Sequence, residues 1–398
     1  MTLITKPADL AALCTRLADA EFIAVDTEFM RERTYWPRLC LVQVAGPDDA
    51  VAIDPLAGLD LAPLFDLFRA PHIVKVFHAA RQDLEIFFQL MGSLPAPVFD
   101  TQVAAMVCGF GDQVSYETLA SKLARAKVDK GSRFTDWSLR PLSPRQIEYA
   151  LADVIHLRPV YQKLMQKLVS TGRGEWLGEE MAALTNPAAY TIDPLQAFRR
   201  LRSRSGNGRM LAVMRELAAW REREARARDI PRTWVLKDES LLEIAHHTPR
   251  TAEALGRTRG LARKFAESPQ GADVLAAVER GLAVPMAELP AGDEKRLLPR
   301  GVAPVVDLLK VLLKMKCDDA DVAHRLVAST EDLEAIAVDG AGADVPALTG
   351  WRRHLFGEDA LKLRSGAVAI VVEGRKLVLV ERPGTDGGEA AADIHGGR

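Results

Sequence analysis

An α/β domain of about 170 residues followed by all-helical modules is the fold class this sequence predicts. Three observations carry the prediction. Short strand-like runs and helical runs alternate as far as about residue 170, strand signals then stop, and the rest reads as short helices broken by proline and glycine. At 398 residues the chain is long enough for two or three domains, each with its own core.

The elements follow in order. Runs rich in Val, Ile, Leu and Phe at residues 22–25, 39–45 and 51–53 are separated by short turns, one marked by Gly46-Pro47, as antiparallel neighbours require. Helix and strand patterns then alternate: helix over 61–68, strand over 73–77, helix over 82–91, strand at 98–99 and helix over 101–110. Three hairpin-linked strands leading into β-α alternation give a mixed sheet with helices on its faces. Ser143-Pro144 supplies an N-cap and a proline at the first helical position, and helical periodicity continues to Leu168. Residues 207–282 read as short helices broken at Pro231, Pro249 and Gly260, and a second helical block covers about 301–363 beyond the linker PMAELPAGDEKRLLPRG. The segment AVAIVVEGRKLVLVE alternates like a small hairpin, and the tail PGTDGGEAAADIHGGR has the composition of a disordered segment.

Acidic residues carry the chemistry. Asp26 and Glu28 stand two apart in FIAVDTEF, so a continuing strand projects both from one face. Asp83, in FHAARQDLEIF, falls in an early turn of the helix after the 73–77 run. Tyr149 and Asp153, in IEYALADVIHL, are i, i+4 neighbours on a helix, which places a phenol beside a carboxylate. Ala150, Val154, Leu157 and Tyr161 form the adjacent apolar stripe, setting that polar pair at a border between core and cleft. Like charges repel, so four carboxylates converge only where divalent cations offset the cost, and that points to metal-assisted phosphoryl chemistry. A D-x-E at a strand end and a Y-x-x-x-D on a helix are each ordinary alone. Their joint order and spacing are not.

In that order the three segments resemble the three motifs of the DEDD exonuclease superfamily, with Tyr149 marking its DEDDy branch. The surrounding text is closer still to the ribonuclease D family: VDTEFMRERTYWPRLCLVQVA, VFHAARQDLEIF and DKGSRFTDWSLRPLSPRQIEYALADV match its motif regions. The resemblance covers almost all of residues 1–365. It implies a ribonuclease H-like exonuclease fold, a mixed β-sheet with flanking helices, followed by two all-α HRDC-type domains. The middle block, with LAAWREREARARDIPRTWVLKDESLLEIAHHTPRTAEALGRTRG, resembles the HRDC domain shared with RecQ-type helicases, and the block containing LLKVLLK and GWRRHLFGEDALKL resembles the more divergent second unit. The expected domains are therefore a 3′→5′ exonuclease domain at 1–170, a connecting segment at 171–204, an HRDC domain at 205–284, a linker at 285–300, a second HRDC-like domain at 301–365, and a hairpin with tail at 366–398.

The family also implies the chemistry. Two divalent ions roughly 4 Å apart can generate hydroxide and stabilise the leaving 3′ oxygen. By resemblance Asp26 bridges them, Glu28 and Asp153 complete one shell, and Asp83 holds the second ion largely through water. Tyr149 orients the attacking water; its phenol has an ordinary pKa near 10, which favours positioning over general-base work. Mg²⁺ is the default cation because it suits hard oxygen ligands and retained waters, with Mn²⁺ a substitute. The 3′→5′ direction and the release of nucleoside 5′-monophosphates rest on the resemblance. For gripping the terminal nucleotides the candidates are Thr27, Phe29, Met30, His78, Gln82 and Trp137, because single-stranded RNA is held by stacking and by 2′-hydroxyl contacts. Each of these is equally a candidate for the core.

Charge is uneven. The net charge of −2 is small, yet from Arg199 to Lys237 there are twelve Lys plus Arg against four acids, a local excess of eight. Such a stretch, including Arg215, Arg221 and Arg232, is a candidate phosphate-binding surface, with a solvated helix face as the plain alternative. Arg257, Arg259, Arg263 and Lys264 add a second basic cluster. Cys14, Cys40, Cys108 and Cys317 are scattered, with no C-x-x-C, so neither a zinc site nor a disulfide framework is expected and a cytoplasmic setting fits. His246-His247 face different directions on a helix and are not expected to bind metal. No apolar run approaches the roughly 18 residues a membrane helix needs, and no signal-peptide pattern opens the chain. The expectation is a monomeric 3′→5′ exoribonuclease trimming RNA 3′ ends, transfer RNA precursors among them. Its rivals are a DEDDy exonuclease acting on DNA, which the helical modules disfavour, and an inactive RNA-binding scaffold, which the intact set of five motif residues disfavours.

Overall fold

Alternating Ile, Val and Phe side chains build a sheet with two covered faces, and the acids sit where one strand outruns its apolar stretch. In the computed structural model, residues 2–128, 131, 135–201, 207–291 and 298–382 are described, and their contacts divide the chain into two units. One contains the sheet and the first helical module. The other contains residues 102–115, 164–178 and the C-terminal module.

The sheet has six strands: β1 (Thr2–Ile4), β2 (Phe22–Met30), β3 (Arg38–Ala45), β4 (Ala50–Ile53), β5 (Val74–Phe77) and β6 (Val98–Asp100), in the order β1-β4-β3-β2-β5-β6. The β2-β3 and β3-β4 pairs are antiparallel, while β5 and β6 run parallel to β2. The expected mixed sheet is therefore present, with β1 an added edge strand pairing parallel to β4. Strand β2 runs five residues beyond its apolar run of 22–25, carrying Asp26 and Glu28 in regular pairing to a bulge after Glu28. Period-2 alternation sends Ile23, Val25, Val42, Val44, Val51 and Ile53 into one core cluster. Helices α1 (Pro7–Leu17), α2 (Ala62–Arg69) and α3 (Arg81–Met91) contribute Leu10, Leu13, Leu64, Phe68, Leu84 and Phe87 to that cluster. The opposite face, with Leu41 and Ala52, packs on Trp137, Leu142, Ala150 and Leu151.

Helix α4 (Thr101–Val107) follows β6 directly, and a short α5 (Tyr116–Leu119) precedes the long α6 (Pro144–Thr171). Ser143 caps α6: its hydroxyl accepts from Gln146 N at 3.3 Å while Gln146 Oε1 accepts from Ser143 N at 3.0 Å, a reciprocal capping box. Arg140 ties the approach to α6 onto the sheet through Asp54 (2.7 Å to each carboxylate oxygen) and the Cys40 carbonyl (2.7 Å). After α7 (Gly174–Leu184) come the helices of the first module: α8 (Gly208–Ala227), α9 (Arg232–Val235), α10 (Asp238–His247), α11 (Ala252–Leu255), α12 (Arg263–Ala266) and α13 (Pro269–Ala283). Their core is Leu211, Met214, Leu217, Leu241, Ile244, Val274 and Val278, and Tyr35 from the β2-β3 loop belongs to it.

The second unit is helical, with α14 (Ala303–Ala320), α15 (His324–Val327), α16 (Thr330–Asp339), α17 (Gly350–Arg352) and α18 (Glu358–Ser365). Ser329 and Asp332 form a capping box at α16. Trp176 and Trp351 stack with ring centroids 4.3 Å apart within this unit. The expected hairpin is present as β7 (Val368–Glu373) and β8 (Lys376–Glu381). The expectation for the tail at 383–398 lies outside the described residues, as do Arg202, Arg204 and part of the linker at 292–297. Among the described residues no helix is long and apolar enough to cross a membrane.

Candidate active site

One strand, one helix start and one long helix deliver the acids. Asp26 and Glu28 project from β2 toward the face that α6 covers, and Asp153 stands on α6 two turns after Ser143-Pro144 opens that helix. One oxygen each from Asp26, Glu28 and Asp153 lies within 4.8 Å of the other two. All three are partly exposed, so solvent or a ligand can reach them. Tyr149 lies one turn before Asp153, its ring 6.1 Å from that of Trp137.

Asp83 is the fourth acid and stands outside that three-oxygen cluster. It is buried in the first turn of α3 and accepts a hydrogen bond from the Thr27 hydroxyl. Thr27 has the opposite parity to Asp26 and Glu28, so β2 uses both faces: one for the acid pair, one for holding Asp83. Desolvation by the surrounding chain pushes the partly exposed Asp26 carboxyl up to about 6, and burial plus the Asp26 charge pushes Asp83 well above the ordinary carboxylate range. Carboxyls so disfavoured in ionised form are what a divalent cation would relieve, and an all-oxygen donor set fits Mg²⁺ or Mn²⁺.

Three supporting residues were not singled out from the sequence. Asp100, at the end of β6, accepts from Ala79 N (3.0 Å) and Ala80 N (2.8 Å), which fixes the start of α3 and hence Asp83. The acid ending the 98–99 run was the available signal. Tyr116 donates to the backbone carbonyl of Asp153, and burial, followed by the charges of Asp153 and Asp26, raises its phenol so that it stays a donor. Gln43 lies on β3 opposite Asp26.

The nucleotide-gripping candidates divide. Trp137 is 2% exposed and packs into the cluster between β3 and α6, so no base can stack on it there. Thr27 is committed to Asp83. Phe29 and Met30 are half-buried, packed against the clusters on opposite faces of the sheet. His78 is half-buried beside Tyr116, with Nδ1 3.0 Å from the Thr101 hydroxyl. Gln82 is exposed at the start of α3.

Several arginines of the basic segment offered as a candidate phosphate-binding surface have partners within the fold. Arg221 is 6% exposed and donates to Asp238 (2.6 Å) and the Leu236 carbonyl (2.8 Å). Arg232 pairs with buried Glu222 (2.7 Å) and lies over the Tyr35 ring. Arg226 donates to the Tyr35 hydroxyl (3.0 Å) and the Ile192 carbonyl (2.6 Å). Arg215, mostly covered, lies 3.8 Å from Glu216. A run of arginines on a helix reads the same whether it meets phosphate or its own acids, which is why spacing did not separate the two. The same network grips the β2-β3 loop: Tyr35 donates to Glu222, and the Tyr35 and Trp36 amides both donate to Asp229 at 3.1 Å. Arg31, at the start of that loop, pairs with Glu85 on α3 through two 2.8 Å hydrogen bonds.

This geometry is that of a 3′→5′ exonuclease domain joined to a helical module, and residues 1–169 match the 3′-5′ exonuclease family while residues 210–278 match the HRDC domain. Ribonuclease D of Granulibacter bethesdensis is 53% identical over 381 residues, covering 95% of this chain and 96% of that protein. Ribonuclease D of Nitrobacter hamburgensis is 51% identical over 383 residues, covering 96% of this chain and all (100%) of that one. The crystal structure of Escherichia coli RNase D, described as an exoribonuclease involved in structured RNA processing, superposes with a TM-score of 0.77 at 31% identity, covering 91% of this chain and 98% of that one. The catalytic core of RRP6 from Trypanosoma brucei, 24% identical with a TM-score of 0.54, shares the fold over 71% of this chain and 79% of that one. The chain belongs to the ribonuclease D family and is a 3′→5′ exoribonuclease.

Proposed function

We propose that Asp26, Glu28, Asp83, Tyr149 and Asp153 form the active site and that the four carboxylates hold two divalent cations, Mg²⁺ or Mn²⁺, at the 3′ end of an RNA strand. The observation that carries this reading is the convergence of Asp26, Glu28 and Asp153 within 4.8 Å, with Asp83 held behind them by Thr27. Bound ions of this kind polarise water and neutralise charge gathering on the phosphoryl group. Asp26, close to Glu28 and Asp153 and felt by Asp83, would serve both ions. Tyr149 would direct its phenol to the attacking water and so orient a lone pair toward phosphorus. Phe29, Met30, His78 and Gln82 line the approach for the last nucleotides. Thr27 acts through Asp83 and Trp137 through packing behind Tyr149. The product is a nucleoside 5′-monophosphate.

The natural substrates are structured RNAs with a free 3′ end, transfer RNA precursors foremost. Support for that substrate comes from the Escherichia coli relative's role in structured RNA processing and from an HRDC domain joined to the catalytic unit. The protein acts in the cytoplasm, in keeping with four cysteines free of disulfides, and as a monomer. A transfer RNA precursor with a 3′ trailer, an unstructured RNA of the same length and the matching DNA, each given to the enzyme with Mg²⁺, test this. Trimming of the trailer down to the folded body, with DNA degraded at least about tenfold more slowly, is the expected result. Equal loss of DNA would shift the substrate to single strands of either kind.

A further inference from the structure

Gln43 carries an unusual polar group into the layer behind the acids. It pairs directly with Asp26 across β2-β3 and with Ala52 across β3-β4. Its sequence neighbours Val42 and Val44 both pack in the core cluster on the far face of the sheet. Strand alternation therefore turns Gln43 to the face of Asp26, where Ala52 packs with Trp137, Ala150, Leu151 and Tyr149. The residue is 0% exposed, and among the described residues neither its Nε2 nor its Oε1 has a hydrogen-bond partner. Trp137 Nε1, in the same layer, also lacks one.

A buried amide with both ends unsatisfied is a liability that a methionine or leucine of similar volume would remove. The compensation has to come from a state in which the amide is used. Directly opposed residues on antiparallel strands hold their Cβ atoms about 4.5–5.5 Å apart, so the Gln43 amide is within hydrogen-bonding reach of the Asp26 carboxylate. We propose that Gln43 is a positioning residue for Asp26: its Nε2–H₂ donates to the Asp26 carboxylate when the acids take up divalent cations, fixing which carboxylate oxygens face the ions. This inference rests on the reading of the four acids as a metal site.

The test compares the full-length wild type with Gln43→Met, Gln43→Leu and Asp26→Ala. Mn²⁺ binding without RNA is measured by calorimetry and electron paramagnetic resonance, and thermal melts are recorded in EDTA. The expected result is that Gln43→Met and Gln43→Leu melt at or above the wild-type temperature in EDTA and yet bind Mn²⁺ about 10- to 100-fold more weakly, the usual loss when a ligand's hydrogen-bonding support is removed. The Mn²⁺ concentration for half-maximal RNA cleavage should rise by a similar factor. Wild-type Mn²⁺ affinity in both variants, or a lower melting temperature in EDTA for both, would overturn the proposal by leaving Gln43 with no role or with a role in the fold. Should the wild type bind no more Mn²⁺ than Asp26→Ala does, the metal-site reading fails first and this inference fails with it.

Discussion

In the proposed active site the pivotal residue is Asp26, because it belongs to the cluster with Glu28 and Asp153 and its charge also acts on buried Asp83. Asp26→Ala is expected to abolish cleavage while leaving RNA bound. Tyr149→Phe removes one hydroxyl from a ring still packed near Trp137, so it should lower the rate by about 10²-fold or more with the melting temperature nearly unchanged, a loss typical of groups that position water. Single-turnover rates alongside melting curves check both. Titration gives an independent signature. The folded pKa of Asp26, about 6, lies above its ordinary value of 3.8, so between those two values the folded chain keeps a proton that the unfolded chain has released. Metal-free protein should therefore be most stable below about pH 4 with respect to this group and lose that contribution as pH rises through 6. Melts in EDTA between pH 5 and pH 7 should show the fall, and Mg²⁺ should reverse it at pH 7.

At the scale of elements, much of the site was legible in the sequence because period and capping are local. The two-residue spacing of Asp26 and Glu28 on a strand, and the Ser143-Pro144 start that phases Tyr149 and Asp153 on α6, are properties of a few consecutive residues. What stayed hidden depends on contacts distant in the chain. Nothing near Tyr35 announces that it enters the core of the first helical module, nor does any local pattern say that Arg226 and Arg232 face it instead of solvent. The burial of Trp137 and the pairing of Gln43 with Asp26 are tertiary facts of the same kind. The Tyr35 cluster makes a prediction at this scale. Glu222 is buried beneath Arg232 and the Tyr35 hydroxyl, so Glu222→Ala leaves a guanidinium without its partner and should cost about 3 kcal/mol. Because the loop it anchors also carries Arg31, paired with Glu85 on the helix of Asp83, the same change should raise KM for RNA more than a surface substitution of equal charge. Chemical denaturation and steady-state kinetics measure the two effects.

At the scale of the whole molecule, the basic segment is partly paired inside the fold among the described residues. The local excess of basic residues between Arg199 and Lys237 survives as sequence, but Arg221, Arg226 and Arg232 use their guanidinium groups on Asp238, backbone carbonyls, Tyr35 and Glu222. Arg221→Ala should accordingly lower the melting temperature and leave the slope of log binding constant against log salt concentration unchanged. A slope smaller by about one would return Arg221 to the phosphate contacts. A convergent acid cluster holding divalent cations is what we propose makes this chain a trimmer of RNA 3′ ends. The most direct test is degradation of 5′-labelled single-stranded RNA with Mg²⁺, Mn²⁺ or EDTA by wild type, Asp26→Ala and Tyr149→Phe. A ladder of shortening products that EDTA and Asp26→Ala both abolish, and that Tyr149→Phe slows, is the predicted result; cleavage that persists in EDTA or in Asp26→Ala would contradict the account.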